Sequence, residues 1–276
     1  MTARVIYYYQ TFNGLDKLLP HIEDVDVIIV ASIHFGLTDR NAPYIHLNNN
    51  EPTDNCFTTL WEQAEWCSTH NTDILLLIGG AGGAFTTLFQ AYQTYYPLLV
   101  TLLRAKKNIS GVELDIEESV DLTNVQMFIR DLVRDFGPSF IITMSPVADS
   151  MIGNGRGMGD FSYKELVNSP EGDHIKWFNV QSYGMFTEAT YAGIIKNGYN
   201  PAQIVLGMLS SDFDTQTFDA ALLTIKNIKD RWPTMGGVDV WEYYAAPPDI
   251  QDPSQWAKLV SAVLRETPST HSCILN

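Results

Sequence analysis

The chain has 276 residues, 45% of them hydrophobic, with 32 Asp and Glu against 17 Lys and Arg and a formal charge of −15. That apolar share suffices for a large core, and the acidity repels a phosphate backbone, so nucleic acid is not expected as a partner. No apolar run approaches the ~20 residues needed to span a bilayer, so no membrane partner is expected either.

The N-terminus enters an apolar strand at Val5 and leaves no room for a signal peptide. This fits a cytoplasmic protein, or a secreted one whose leader was removed. Strands are expected at residues 4–10, 26–35, 73–79, 111–117, 140–146, 177–183, 204–209 and 238–243, where short apolar runs stand between turn residues. Helical patterns lie between them, at 56–70, 84–106, 121–136, 215–231 and 253–265. The third of these starts at Asp121 and stops at Gly137-Pro138, a sound start and stop. The stretches 41–55 and 151–160 read as loops. Eight strand–helix units in one domain of this length predict a single (β/α)8 barrel over residues 1–276, with a doubly wound sheet as the competing architecture.

Cys56, Cys67 and Cys273 make an odd count without metal-ligand spacing. Cys56 and Cys67 could pair, and the preferred reading is free thiols in a reducing compartment or one incidental bridge. Six scattered histidines likewise give no metal spacing, so a metal is not expected. The last four residues, from Cys273 to Asn276, have the shape of a prenylation box. Asn is a poor final residue for one, and no basic stretch precedes it.

The most informative segment is Ile109-Ser110-Gly111-Val112-Glu113-Leu114-Asp115-Ile116-Glu117. Its alternation has the period of a β-strand, with Val112, Leu114 and Ile116 facing one way and Glu113, Asp115 and Glu117 the other. Carboxylates ~7 Å apart along a strand repel one another, which raises at least one pKa and makes a proton donor near neutral pH. In a barrel, chemistry sits at the C-terminal strand ends, and Glu117 is expected to be the final residue of the fourth strand. The glycine-rich Gly79-Gly80-Ala81-Gly82-Gly83 fails the dinucleotide pattern and reads as close backbone packing at a strand end. No G-x-S-x-G elbow is present. His34, at the end of the second strand, is a weaker candidate for touching a substrate, and Met144 either lines the site or fills the core.

The carboxylate segment resembles the Asp-Gly-x-Asp-x-Asp-x-Glu signature of family 18 glycoside hydrolases, the chitinases and their relatives. Leu77-Ile78-Gly79-Gly80 is similar to that family's Ser-x-Gly-Gly element. Gln181-Ser182-Tyr183 is similar to its Gln-x-Tyr, Trp241 to the Trp beneath its sugar, and Tyr7 with Gln10 to its opening strand. The motifs occur in family order over essentially the whole chain. Ser110 and Glu113 replace the first two Asp residues, and Gly184 stands where many plant-type members have Asn.

The resemblance implies a retaining, substrate-assisted hydrolase of β-1,4-linked N-acetylglucosamine, with chitin or chito-oligosaccharides as the first choice of carbohydrate partner. An endo-β-N-acetylglucosaminidase cutting the chitobiose core of N-glycans is the close alternative. A non-catalytic, lectin-like barrel is the more distant one. The implied catalytic residues are Glu117, Asp115 and Tyr183, with Glu113, Gln181, Trp241, Tyr7, Gly80 and Met144 binding substrate. The chemistry needs no metal and no cofactor, and a monomer is expected.

Overall fold

The computed structural model describes residues 3–153 and 155–266. Among the described residues nine strands form one sheet: β1 (Arg4–Tyr9), β2 (Val27–Leu37), β3 (Pro43–Leu47), β4 (Asp73–Gly79), β5 (Ile109–Asp115), β6 (Ile141–Met144), β7 (Ile175–Gln181), β8 (Ile204–Leu209) and β9 (Gly237–Trp241). Eight are parallel and run β1-β9-β8-β7-β6-β5-β4-β2. Pairing of β1 with β2, as in Tyr8 opposite Ile29, closes them into a barrel. A closed (β/α)8 barrel is therefore the fold, and the doubly wound alternative is set aside.

The helices around it are α1 (Thr58–Thr69), α2 (Ala84–Gln90), α3 (Tyr92–Ala105), α4 (Leu122–Phe136), α5 (Ala148–Ile152), α6 (Tyr163–Val167), α7 (Glu188–Lys196), α8 (Phe218–Arg231) and α9 (Ser254–Arg265). A 3-10 helix, Leu15–Asp24, stands between β1 and β2. No helix of the described residues is long and apolar enough to cross a membrane.

Beyond α5, α6, α7 and the 3-10 helix, which the sequence expectation did not include, three local features differ from it. The stretch 41–55 is not all loop. Its Pro43–Leu47 pairs antiparallel with the outer end of β2, placing His46 opposite His34 and burying Ile45 and Leu47. The pattern 84–106 is two helices, broken at Ala91 (φ −133°, ψ 47°). The break lets Phe89, Tyr92 and Tyr96 all reach the ring of Phe128 on α4. Finally, β5 ends at Asp115, so Glu117 stands two residues beyond the strand. The ladder stops there because the last inter-strand acceptors are Leu114 O, bonded by Ser145 N–H at 3.3 Å, and Asp115 O, bonded by Gly80 N–H at 2.9 Å.

Alternation along the strands sorts side chains into two layers. One face packs against the helices, with Val112, Leu114 and Met144 among its buried members. The other fills the barrel with Ile6, Tyr8, Ile29, Leu75, Leu77, Trp177 and Val205. Arg4 lies over the Trp177 ring at 4.1 Å. The interior is thus a packed plug. Cys56 is exposed, Cys67 is buried, and both are free thiols. Cys273 and the C-terminal box lie outside the described residues.

Candidate active site

Glu113 and Asp115 point into the barrel because β5 is a regular strand with Val112 and Leu114 on its helical face. Glu113 is wholly buried. Its Oε1 accepts the Asn179 amide at 2.8 Å, and Asn179 Oδ1 in turn accepts the Trp177 indole at 3.0 Å. Asp115, 7% exposed, accepts the Gln181 side-chain amide at 3.2 Å, while the same nitrogen donates to Ser145 O at 2.8 Å. Gln181, on β7, is thereby held from both sides. Glu117 follows at the rim, half-buried.

Above Glu113 opens a cleft of about 300 Å³. Asp115, Glu117, Gln181, Tyr183 and Trp241 line it, together with Tyr8, Gln10, Ser32, Leu77, Ser145 and the turn Gly79-Gly80-Ala81. Tyr8 and Trp241 meet with ring centroids 5.2 Å apart, giving the cleft an aromatic wall. The turn must be glycine at 79. Its φ is +105°, and a Cβ there would stand 2.1 Å from Asp115 O.

Burial dominates the electrostatics. It pushes Glu113 up to about 8, with the charge of Asp115 adding to the effect. Asp115 rises to about 7, through burial first and the charge of Glu117 second. Glu117 is also raised, chiefly by burial, with the Gln181 amide pulling it back and Glu118 adding to the rise. Asp239, on β9, is 1% exposed and held well above the carboxylate range by burial and by Glu113. Tyr183 is held well above its usual value, chiefly by burial and then by these carboxylates, so it remains a neutral hydroxyl donor. The cleft thus contains a raised carboxyl able to give a proton, a second carboxylate beside it, and neutral donors aimed at the same space.

Of the residues singled out from sequence, Glu117, Asp115, Tyr183, Gln181, Trp241 and Gly80 share this cleft. Glu113 lies beneath it. Tyr7 and Met144 do not reach it, because their places in the alternation turn them toward the helices. The Tyr7 hydroxyl donates to Pro253 O at 2.5 Å and accepts Ala257 N–H at 3.1 Å, and Met144 is fully buried in the helical layer. Their neighbours Tyr8 and Ser145 face the cleft instead. His34 lies in an adjoining depression with its ring stacked on His46 at 5.5 Å.

Sequence reasoning missed Tyr8, Ser32, Ser145 and Asp239. In Tyr7-Tyr8-Tyr9 no polarity difference marks the inward residue, and Asp239 is a single acid inside an apolar strand. That isolation was the available signal. Among the described residues, His21, Glu23 and Asp24 form a grouping with metal-capable atoms close together. It lies outside the cleft, and Asp24 is already engaged by Ser261 and Arg265.

No protein-family profile and no curated protein sequence matches the chain. Solved structures do. A fungal endo-β-N-acetylglucosaminidase from glycosyl hydrolase family 18 superposes with a TM-score of 0.83 at 27% identity, over 95% of this chain and 98% of that one. A chitinase from Aspergillus fumigatus gives a TM-score of 0.78 at 28% identity, over 94% and 99%. A family 18 chitinase from Pseudoalteromonas aurantia gives 0.65 at 18% identity, over 95% and 100%, a likeness of fold. With the carboxylate strand ending in the same cleft as Gln181, Tyr183 and Trp241, these full-length likenesses mark the chain as a chitinase-like glycoside hydrolase, similar in structure to the enzymes of family 18.

Proposed function

We propose that the protein hydrolyses β-1,4-linked N-acetylglucosamine, in chito-oligosaccharides or chitin, with retention and with the substrate's own acetamido group as nucleophile. The observation that carries this reading is the shared cleft of Asp115 and Glu117, with Gln181 bonded to Asp115 and no cation paired to either acid among the described residues.

In the first step Glu117 gives its proton to the glycosidic oxygen as the bond from that oxygen to C1 breaks. The acetamido carbonyl oxygen bonds to C1 from the other face and forms an oxazolinium ion. Asp115 accepts the acetamido N–H and offsets the positive charge that develops there. Tyr183 donates its hydroxyl to the acetamido oxygen, while Trp241 and Tyr8 flank the ring. Water then attacks C1 and passes its proton to Glu117, the bond between C1 and the acetamido oxygen breaks, and the configuration is retained. Glu113 lies beneath Asp115 and tunes it, so the three carboxyls titrate as a coupled set.

Cleavage of the chitobiose core of N-glycans uses the same residues and is the second reading. It is favoured by the likeness to the fungal endo-β-N-acetylglucosaminidase. Digestion of chitotetraose beside a high-mannose N-glycopeptide, with product anomers followed by NMR, separates the two. Release of β-anomer from chitotetraose supports the first reading, and cleavage of the glycopeptide alone supports the second. Binding without cleavage of either would make the protein a carbohydrate-binding barrel.

A further inference from the structure

Glu118 follows the acid in sequence and takes no part in the steps above. Its Oε1 accepts Phe85 N–H at 2.5 Å and Thr86 N–H at 3.1 Å. These belong to the first turn of α2, where a helix leaves its N–H groups without internal partners. The turn 79–83 leads into α2, and its Gly79, Gly80 and Ala81 line the cleft with Glu117. Phe85 is buried beneath that turn: a Cβ on Gly79 would stand 2.7 Å from its ring, which also packs on Phe128 of α4. Glu118 therefore joins the segment bearing the acid to a rigid, buried anchor. Its other oxygen, Oε2, is buried and has no hydrogen-bond partner. None of the ion pairs among the described residues involves Glu118.

We propose that Glu118 is a positioning residue of the hydrolytic reaction, latching the Glu117 segment to the glycine turn and α2 and setting a negative charge beside the acid. The inference rests on the reading of Glu117 as proton donor. A negative neighbour favours the protonated form of a carboxyl, so the charge helps Glu117 hold its proton until a glycosidic oxygen arrives. The other groups facing this pair are Asp115 from β5, Tyr163 from α6 and Tyr183 after β7, with His34 of β2 toward Glu118. Both tyrosines are held neutral, and burial lowers His34, so Asp115 and Glu118 are the charges that act on Glu117.

The test compares Glu118→Gln, Glu118→Ala and the unaltered enzyme on chitotetraose and the N-glycopeptide over roughly pH 4 to 9, the span these carboxyls can cover. Glu118→Gln keeps an acceptor oxygen for Phe85 and Thr86 but loses the charge. Its Tm should be unchanged, and the alkaline limb of its kcat/KM profile should move to lower pH by about half a unit or more. Glu118→Ala loses the latch as well, and kcat per folded molecule should fall ~10-fold or more with KM changed less than ~3-fold, as expected for lost alignment. Glu118→Asp should recover part of that kcat.

An unmoved alkaline limb in Glu118→Gln overturns the proposal. So does a Glu118→Ala enzyme that loses Tm but keeps kcat, since that is the behaviour of a helix cap alone. If Glu118→Ala does not fold, Glu118→Gln still decides. An unaltered enzyme that cleaves neither substrate refutes the role given to Glu117, and the latch with it. Variants that match an active unaltered enzyme refute the latch alone.

Discussion

Asp115 and Glu117 are two residues apart, yet their surroundings differ. One sits on a strand inside the barrel, bonded by Gln181; the other stands past the strand end, half-exposed to the cleft. Each raises the other's proton affinity, so the pair loses its two protons in coupled steps, and in the proposed mechanism the singly protonated pair is the working form. Above the upper step no acid remains; below the lower step Asp115 has no charge to offset the oxazolinium ion. The kcat/KM profile should therefore be bell-shaped, with its alkaline limb displaced above the ordinary carboxylate range, because burial raises both Asp115 and Glu117. A flat profile over roughly pH 4 to 9 would count against the assignment. Glu117→Gln should lower kcat by at least ~10³-fold, because the general acid is lost, while chitotetraose binding measured by calorimetry stays within ~3-fold. A Glu117→Gln enzyme that retains turnover would remove Glu117 from the mechanism.

At the scale of elements, the rim depends on Glu242, the residue after β9. Its Oε1 accepts Gln10 N–H at 2.8 Å, Thr11 N–H at 2.9 Å and the Thr11 hydroxyl at 2.9 Å, and its Oε2 accepts Tyr244 N–H at 3.1 Å. One carboxylate thus closes the ends of β1 and β9 together, between Gln10 and Trp241 of the cleft wall. Glu242→Ala would leave several part-buried donors without this acceptor and should cost about 1–2 kcal/mol in denaturant unfolding, with a raised KM as Gln10 and Trp241 lose their tether. An unchanged KM beside the lost stability would confine Glu242 to a structural role. Neither this clamp nor the Glu118 latch was legible in the sequence, since each joins segments distant along the chain. The strand of Glu113 and Asp115 was legible because acids at period two in an apolar run fall on one strand face, where burying them is costly unless chemistry uses them, while the end of the strand before Glu117 was not. Tyr7 and Tyr8 show the limit: inward and outward faces of a barrel strand are both apolar, so pattern alone does not orient them.

For the molecule as a whole, eight strand–helix alternations were enough to indicate the barrel, whereas closure needs the pairing of β1 with β9, Arg4 opposite Gly237, which is long-range and could not be read from local pattern. The barrel also fixes how stability depends on pH. Glu113, Asp115 and Asp239 all sit in its interior with proton affinities raised above their unfolded values. Folding therefore retains protons that the unfolded chain releases once pH exceeds the ordinary carboxylate range. Their stabilising contribution is complete below that range and is lost as pH rises through about 7 for Asp115 and about 8 for Glu113. The chain's charge of −15 acts in the same direction, since self-repulsion grows as the last carboxyls ionise. Tm should thus be highest near pH 5 and fall by more than ~5 °C by pH 8.5 in scanning calorimetry. Glu113→Gln keeps the Asn179 hydrogen bond without a titrating proton and should flatten that slope. A Tm that rises over the same interval, or a Glu113→Gln slope equal to that of the unaltered protein, would mean that the buried carboxyls are not holding these protons.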